Sequence, residues 1–553
     1  MKKRWILLLL VGMLTVLAAC GFSGPEESED AEGPDDGNDS TEEPASAEAD
    51  SEQVLNLTTT SEIASLDIKE EHGVLTPIAN TREGLYYIDR DHQPALAGAE
   101  SHDISDDGLV HTFTIRDNVW SNGDPVTAHD YEYSWKRMVG EVGYYAYSFA
   151  NANIANAQAI MDGEADADEL GVEATDDKTL VVTLSEPYPS FTQSLAFPAF
   201  GPINQAFQEA AGDQYGQEAD QVLSNGPFYI SEWNHGQGWQ FKKNETYWNA
   251  DEVTLEEVNV SVVKEESTAV NLYESGDSDL VEISAAFIDN YSSDENFSTE
   301  QTAMIRFLRF NHNHEALSNV NLRRALDMGW DKQSLTDIVL KNGSIPMNYI
   351  VPNIHIGPTG ETFRDINGDF GGTLEEAQDY YATALEELGV STLELGLLTA
   401  DDTDDRATAE YLKDQWESNL EGLTINIVLQ PFQSRLDMEK AIDYDISMST
   451  YTPSFPEPQQ YIGMWETGAN FNRMDYSNPA LDELINAARV ELDEQKRYDL
   501  LLEAEQILFE EDQAIAPMYQ NSRALVMQPY VKDLVYHPTI PDYDLRWAYI
   551  EGK

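Results

Sequence analysis

The chain contains little basic charge and a single cysteine, Cys20, so no internal disulfide can form. Its 32 Lys and Arg residues stand against 101 Asp and Glu residues, which gives a formal net charge of −69. Proteins that bind nucleic acid need a basic surface, so this charge excludes nucleic acid as a partner. The sequence also has no Gly-x-Ser-x-Gly elbow, no His-Glu-x-x-His helix and no phosphate-binding loop. We therefore predict a protein that is not an enzyme and that uses no cofactor.

Residues 1–20 have the three-part pattern of a lipoprotein signal peptide. Lys2-Lys3-Arg4 precedes an apolar run from Trp5 to Ala18, which is too short for a mature membrane span. The run ends in Leu17-Ala18-Ala19-Cys20, a string typical of a lipobox, in which the cysteine carries acyl chains such as palmitate. This pattern predicts an extracellular protein, anchored through lipid on Cys20 to the outer face of the cell membrane. The alternative is an ordinary secretory signal with a chance cysteine.

Residues 21–53 cannot build a hydrophobic core. Thirteen acidic residues lie between Glu26 and Glu52, with no Lys or Arg among them. A segment of this composition repels itself and buries nothing, so we predict a disordered acidic tether. The other acidic residues are spread along residues 54–553. They indicate either a surface adapted to a salty or alkaline exterior or a trap for cationic ligands.

Strand-like and helix-like segments alternate irregularly through residues 54–553, which indicates an α/β protein with mixed sheets. Alternating apolar residues predict strands at 54–59, 111–115, 180–184, 258–263, 423–429 and 444–448. Helical spacing predicts helices at 127–137, 319–328, 374–388, 479–492 and 495–509. Thr127 with Asp130 forms a capping-box pattern, and Gly389 is a stop signal for the third helix.

Short motifs also follow one another along the whole body. They are, in order, Trp120-Ser121-Asn122-Gly123-Asp124-Pro125, Ser224-Asn225-Gly226-Pro227-Phe228, Tyr247-Trp248, Arg323-Arg324-Ala325-Leu326 and Ala514-Ile515-Ala516-Pro517. This series resembles the family 5 solute-binding proteins, the peptide and nickel receptors of ABC importers, and within them the oligopeptide receptors. The resemblance implies a type II periplasmic-binding-protein-like fold, with two lobes, a hinge and an additional small domain.

The same resemblance implies a division of the chain. Lobe I would comprise residues 54–84, 204–305 and 522–553, and lobe II would comprise residues 306–521. The additional family-specific domain would be residues 85–203. The two lobes would close on an extended oligopeptide, which a monomer would deliver to an ABC permease and its ATPase.

Ten positions match residues near the ligand cleft of that family. They are His72, Val74, Tyr145, Glu282, Ser284, Tyr451, Thr452, Ser454, Glu457 and Tyr519. The resemblance implies that the segment from His72 to Val74 offers backbone to the peptide and that Tyr145 closes over it. It also implies that the strand end at Tyr451 and Thr452 pairs with the peptide, and that a hinge crossing brings Tyr519 past the ligand.

The sequence departs from the family pattern at Ser454, where peptide receptors have an Asp that neutralises the peptide's α-ammonium group. A hydroxyl accepts a hydrogen bond but supplies no counter-charge for a desolvated cation. Glu439 and Met448 also stand where some of these receptors have arginines that hold a carboxylate. Either Glu457, Glu282 or Glu439 supplies the missing anion, or the ligand is an atypical or N-blocked peptide or another cationic solute.

Three functions therefore remain open. The first is a peptide receptor of an importer. The second is a receptor of the same fold for another solute, such as a nickel chelate, an opine or a compatible solute. The third is a signalling or chaperone-like surface protein that binds peptides.

Two patterns suggest a metal only loosely. His312 and His314 would share one face if they lay on a strand, and a polar surface pair is the alternative. The acidic run from Asp401 to Asp405 lacks the Gly and the distal Glu of a calcium-binding EF-hand loop. We therefore predict no metal site.

Overall fold

The structure is a computed structural model that describes residues 52–71, 74–455 and 457–553. The predicted signal peptide with Cys20 lies outside the described residues, as do most of the tether, His72, Gly73 and Pro456. The fold is α/β with mixed sheets, as predicted. Three larger sheets and several two-stranded ribbons carry it.

The first sheet has four strands in the order β1-β10-β9-β8. These strands are β1 (Val54–Thr59), β8 (Phe228–Asn234), β9 (Gly238–Lys243) and β10 (Glu257–Val262). β1 runs parallel to β10, and the other pairs are antiparallel. Because side chains alternate between the two faces of a strand, Leu55 and Leu57 of β1 lie on the same face. There they pack in one hydrophobic cluster with residues of the other three strands.

The second sheet is antiparallel, in the order β4-β5-β7-β6. Its strands are β4 (Ala99–Ile104), β5 (Val110–Ile115), β6 (Val172–Asp176) and β7 (Thr179–Thr183). One face of the sheet packs against the helix Ala128–Gly140, whose Trp135 is fully buried. All four strands fall within residues 85–203.

The third sheet has seven strands, in the order β11-β17-β12-β16-β14-β15, with β13 paired to β17. The strands are β11 (Leu280–Ile283), β12 (Phe297–Phe310), β13 (Ile345–Pro346), β14 (Leu393–Ala400), β15 (Leu423–Gln430), β16 (Ile446–Tyr451) and β17 (Ile515–Met527). The long antiparallel pair of β12 and β17 has two register shifts, at Gln301/Ile305 and at Arg306/Phe307. The short strands β11 and β13 pair with β17, and β16, β14 and β15 follow on the far side of β12.

Short ribbons complete the strands. They are β2 (Tyr86–Ile88) with β3 (Pro94–Leu96), β18 (Val531–Lys532) with β21 (Tyr549–Ile550), and β19 (Val535–Tyr536) with β20 (Tyr543–Asp544).

Seventeen α-helices lie between these strands in the described part of the chain. They are α1 (Thr76–Thr81), α2 (Ala128–Gly140), α3 (Tyr147–Asn151), α4 (Ala157–Met161), α5 (Phe191–Ser194), α6 (Gln205–Ala211), α7 (Glu266–Ser275), α8 (Ala285–Tyr291), α9 (Val320–Met328), α10 (Lys332–Ser334), α11 (Phe363–Asn367), α12 (Leu374–Leu388), α13 (Thr403–Asn419), α14 (Phe432–Lys440), α15 (Pro458–Ile462), α16 (Pro479–Val490) and α17 (Glu494–Gln506). Single π-helical stretches continue α10 and α17.

Each strand and helix predicted from the sequence has a counterpart in the structure. Thr127 and Asp130 form the predicted capping box of α2, and Gly389 ends α12 in a left-handed conformation with φ of 70°. The last predicted helix, 495–509, ends at Gln506 as an α-helix and continues as a π-helix to Glu511. The pair His312 and His314 does not lie on a strand, because β12 ends at Phe310 and a turn follows.

Candidate functional site

The ends of several elements from distant parts of the chain surround a cavity of about 500 Å³, which we call the acidic cavity. Its walls come from the end of β1, from β11, from the middle of β17 and from the first turns of α1, α7 and α13. The cavity is lined by four carboxylates and one guanidinium. They are Glu266, Glu282, Asp404, Asp542 and Arg523.

Only some of these charges are neutralised within the protein. Arg523 Nη2 donates to Asp542 Oδ1 at 2.6 Å. Glu266 accepts hydrogen bonds from the backbone N–H of Ser284 at 2.5 Å and from its Oγ at 2.8 Å. Glu282 and Asp404 take part in none of the ion pairs formed by the described residues, so their charges face the cavity without a cationic partner within 4 Å.

The protein around the cavity changes the acidity of both carboxyls. Loss of solvation raises the pKa of Glu282, an effect that Arg523 opposes and that Asp542 and Glu266 reinforce. Loss of solvation also raises the pKa of Asp404, and the negative charges of Asp402, Asp405 and Glu266 add to it. Both side chains are exposed, so the shifts reflect a concave site that is open to solvent but walled by protein.

A second cavity, of about 660 Å³, lies next to the first, since Tyr536 lines both. Its lining includes residues 299–301 of β12, the loop 354–358, and Glu457 with Arg497. The carboxylate of Glu457 is buried and accepts hydrogen bonds from Arg497 Nη1 and, at 2.7 Å, from the backbone N–H of Gln459. Glu457 is therefore neutralised by Arg497 and also caps α15.

A third, small pocket of about 90 Å³ is mostly aromatic, and we call it the aromatic pocket. It lies between residues 147–200 and residues 451–471. Its lining includes Tyr147, Tyr188, Phe197, Phe200, Tyr451, Thr452, Ser454, Phe455 and Phe471. The structure thus brings Tyr451, Thr452 and Ser454 together at one pocket.

Many contacts join parts of the chain that the predicted domain division separates, and two of them involve charged side chains of lobe II. Arg497 Nη1, on α17, donates to Ser190 Oγ at 3.1 Å, next to α5. Lys341 Nζ pairs with Asp289 Oδ2 of α8 at 2.6 Å.

The other predicted site residues occupy different surroundings. Val74 and Ser284 line the acidic cavity, together with Glu282. Tyr145 is buried in the cluster around the second sheet, and its ring meets Phe197 of the aromatic pocket edge-on. Tyr519 is buried beside Arg306. Burial raises the pKa of its hydroxyl, and the charge of Arg306 opposes part of that rise.

Glu439 cannot serve as a free anion, because it is buried and already surrounded by partners. Its carboxylate accepts from Arg435 at 2.5 Å and from the hydroxyls of Ser447 and Ser449 at 2.7 and 2.6 Å. Met448 is buried in the adjacent core. Of the three carboxylates considered from the sequence, only Glu282 faces a cavity without a cationic partner.

Sequence reasoning missed Asp404, Arg523, Arg497 and Trp239 as cavity residues. Asp404 lies within the acidic run that we compared with a calcium loop. The sequence therefore showed an acidic segment but not that it lines this cavity. In the structure, Asp402 caps α13 and Asp405 pairs with Arg306 at 2.6 Å. Arg497 gave no signal, because it lies on the otherwise ordinary amphipathic helix α17.

Among the residues that the structure describes, no three His, Cys, Asp or Glu side chains are grouped to hold a metal ion. His312 Nε2 donates to the carbonyl of Ala514 at 3.0 Å, and burial lowers the pKa of His312 to about 4. The described part of the chain also contains no helix with both the length and the apolar character of a membrane span.

A protein family, curated relatives and solved structures all match this chain. Residues 93–473 match the family described as bacterial extracellular solute-binding proteins, family 5 Middle. The dipeptide-binding protein DppE of Bacillus subtilis (strain 168) is 31% identical, and the match covers 99% of each chain.

Two solved structures are similar over almost their whole length. The substrate-binding domain of an oligopeptide ABC transporter from Bacillus anthracis str. Ames is 38% identical, with a TM-score of 0.77, over 91% of this chain and 99% of that chain. Listeria monocytogenes OppA bound to peptide is 36% identical, with a TM-score of 0.75, over 90% and 99%.

Proposed function

The chain belongs to the bacterial extracellular solute-binding proteins of family 5, and on this basis we propose that it is a lipid-anchored receptor that binds oligopeptides between two closing lobes. It would deliver them, as a monomer, to the permease and ATPase of an ABC importer. The relatives whose names and structures specify peptides support this ligand class. The match to the dipeptide-binding protein covers 99% of both chains, which supports the same overall role.

The observation that carries the proposal is the row of cavities between the predicted lobes. The acidic cavity takes its walls from strands β1, β11 and β17 and from α13. Strand ends offer backbone N–H and C=O groups to an extended chain, which gives affinity without reading sequence. A volume of about 500 Å³ lies within the ordinary range of ligand pockets.

The division into lobes is part of the proposal. We assign residues 54–84, 204–305 and 522–553 to lobe I, residues 85–203 to an additional domain and residues 306–521 to lobe II. The paired strands β12 and β17 would carry the hinge, because they cross the assigned boundaries at residues 305 and 522 and contain the two register shifts. The contacts Arg497–Ser190 and Lys341–Asp289 would then form on closure.

One observation favours a second candidate, a receptor of the same fold for a solute without a free peptide N-terminus. Position 454 is a serine, and the nearby Glu457 is neutralised by Arg497. The aromatic pocket beside Ser454 therefore has no free carboxylate for an α-ammonium group.

Mass spectrometry of the ligand that co-purifies with the full chain separates the two candidates. The peptide proposal expects masses of short peptides and a rise in melting temperature with a random pool of tri- to pentapeptides. A non-peptide mass, together with no stabilisation by the pool, would refute it.

The lipid anchor is tested by replacing Cys20 with serine. The variant is expected to be secreted to the medium, because the acyl chains would be lost. Membrane association that survives the substitution would rule the anchor out.

A further inference from the structure

We propose that the acidic cavity selects peptides that carry a lysine or arginine side chain, with Glu282 and Asp404 as the carboxylates that contact this cation. The inference rests on the proposed peptide-binding function and names the substrate class for it. It goes beyond the overall acidity of the chain, because it assigns the selectivity to two particular side chains in one cavity.

The first argument is the number of uncompensated charges. Four carboxylates line the cavity, and one guanidinium, Arg523, is already paired with Asp542 at 2.6 Å. Glu266 uses both oxygens on Ser284. Glu282 and Asp404 are left with open hydrogen-bonding capacity toward the cavity, which a cationic side chain of the ligand can fill.

The second argument is that these two carboxylates come from different elements. Glu282 lies on β11 and Asp404 lies in the first turn of α13, which the proposed division places on different lobes. Closure brings like charges toward each other, and the charge of Glu266 raises the pKa of both carboxyls. A cation between the walls converts this repulsion into attraction, so binding of a basic side chain favours closure.

The third argument is a separate polar group at the same cavity. Trp239 lines it and is 4% exposed, and its indole N–H has no hydrogen-bond partner among the described residues. A buried donor without an acceptor costs free energy, and a carbonyl oxygen of a bound peptide would satisfy it. The cavity thus combines a donor for a peptide carbonyl with two carboxylates for a cation.

Calorimetric titration of the full chain with matched tetrapeptides tests the inference. The set places one lysine in turn at each position of tetra-alanine, and its control places glutamine at the same position. We expect about tenfold tighter binding of the lysine peptide at one position or more, since a charge-assisted hydrogen bond in a walled site is about twice as strong as a neutral one.

Three variants locate the preference. Glu282→Gln and Asp404→Asn should each reduce it, and the double variant should abolish it, so that lysine and glutamine peptides bind that variant equally. Glu245→Gln, at an exposed carboxylate outside the cavity, is the matched control and should leave the preference intact. The preference should also persist at about 1 M salt, where a diffuse surface field is screened over about 3 Å.

The outcomes separate the two proposals. Equal binding of lysine and glutamine peptides overturns the inference and leaves the peptide receptor standing. A preference that survives in the double variant also overturns it. No binding of any peptide in the set refutes the proposed function itself.

Discussion

Replacing Arg497 by methionine should destabilise the protein strongly, because its guanidinium neutralises the buried carboxylate of Glu457. The side chains of Arg497 and Glu457 are only 12% and 6% exposed. In the variant, the carboxylate would keep one hydrogen bond, from the backbone N–H of Gln459. Methionine retains most of the apolar stem, so the change removes mainly the charge.

The size of the effect follows from burial. Removing one partner of a buried ion pair costs about 3–5 kcal/mol, because the other charge is left uncompensated. The remaining hydrogen bond at the α15 cap places the expected loss near the lower end, at about 3 kcal/mol. Adding Glu457→Gln to the variant removes the orphaned charge, so the double variant should lose only about 1 kcal/mol, the value of an ordinary hydrogen bond.

The loss should also depend on pH. Burial raises the pKa of Glu457, and Arg497 now opposes that rise. Without Arg497 the pKa in the folded state rises further, while the unfolded value stays ordinary. A carboxyl with a raised pKa costs stability when it is ionised, so the deficit is present above the folded pKa and fades as pH falls toward the unfolded value.

Urea unfolding at pH 7.5 and pH 5, followed by tryptophan fluorescence, measures both effects. The matched control is Arg489→Met on the neighbouring helix α16, whose pair with Glu466 is more exposed, at 33% and 23%. This control should cost less than about 1 kcal/mol. Equal losses in the two single variants, or a loss in Arg497→Met that is the same at both pH values, would show that the reasoning is wrong.

Three further changes test the site and the fold. Ser190→Ala removes the hydrogen bond to Arg497 that we propose forms on closure, so calorimetry should show about fivefold weaker binding of every peptide, and a change confined to some peptides would contradict this. Ser454→Asp adds a carboxylate at the aromatic pocket and should tighten binding of peptides with a free α-amino group relative to their acetylated forms; equal affinities would mean that another group already serves. Thr373→Ala removes the capping box of α12 and should lower stability by about 1 kcal/mol, measured by urea unfolding, with an unchanged midpoint as the contrary result.

The sequence predicted local structure well where the signals are local. The helix Leu374–Leu388 was predicted at its observed bounds, because helical spacing and Gly389 act within a few residues of each other. The capping box of Thr127 and Asp130 is equally local. The sequence left open whether His312 and His314 lie on a strand; they do not, because β12 ends at Phe310, where its pairing with β16 also ends.

The site was predictable only in part, for the same physical reason. Glu282 was named because the family pattern points to its segment. Its neighbour Asp404 comes from a segment about 120 residues away, and only tertiary packing brings the two to one cavity. The pairing of Glu457 with Arg497, 40 residues apart, likewise has no sequence pattern, although it decides whether that carboxylate is free for a ligand.

The central position of β17 has a consequence for how the chain reaches its native state during synthesis. β17 pairs with β11, β12 and β13, yet it comes last in chain order among the seven strands of its sheet. Until the ribosome has made that strand, β11 has no partner in its sheet and one edge of β12 is open. Domains generally fold in order from the N-terminus as they emerge, but this sheet cannot close in that order. The sheet is therefore completed only after its other six strands have been synthesised, so the nascent chain carries an unfinished sheet until β17 is made.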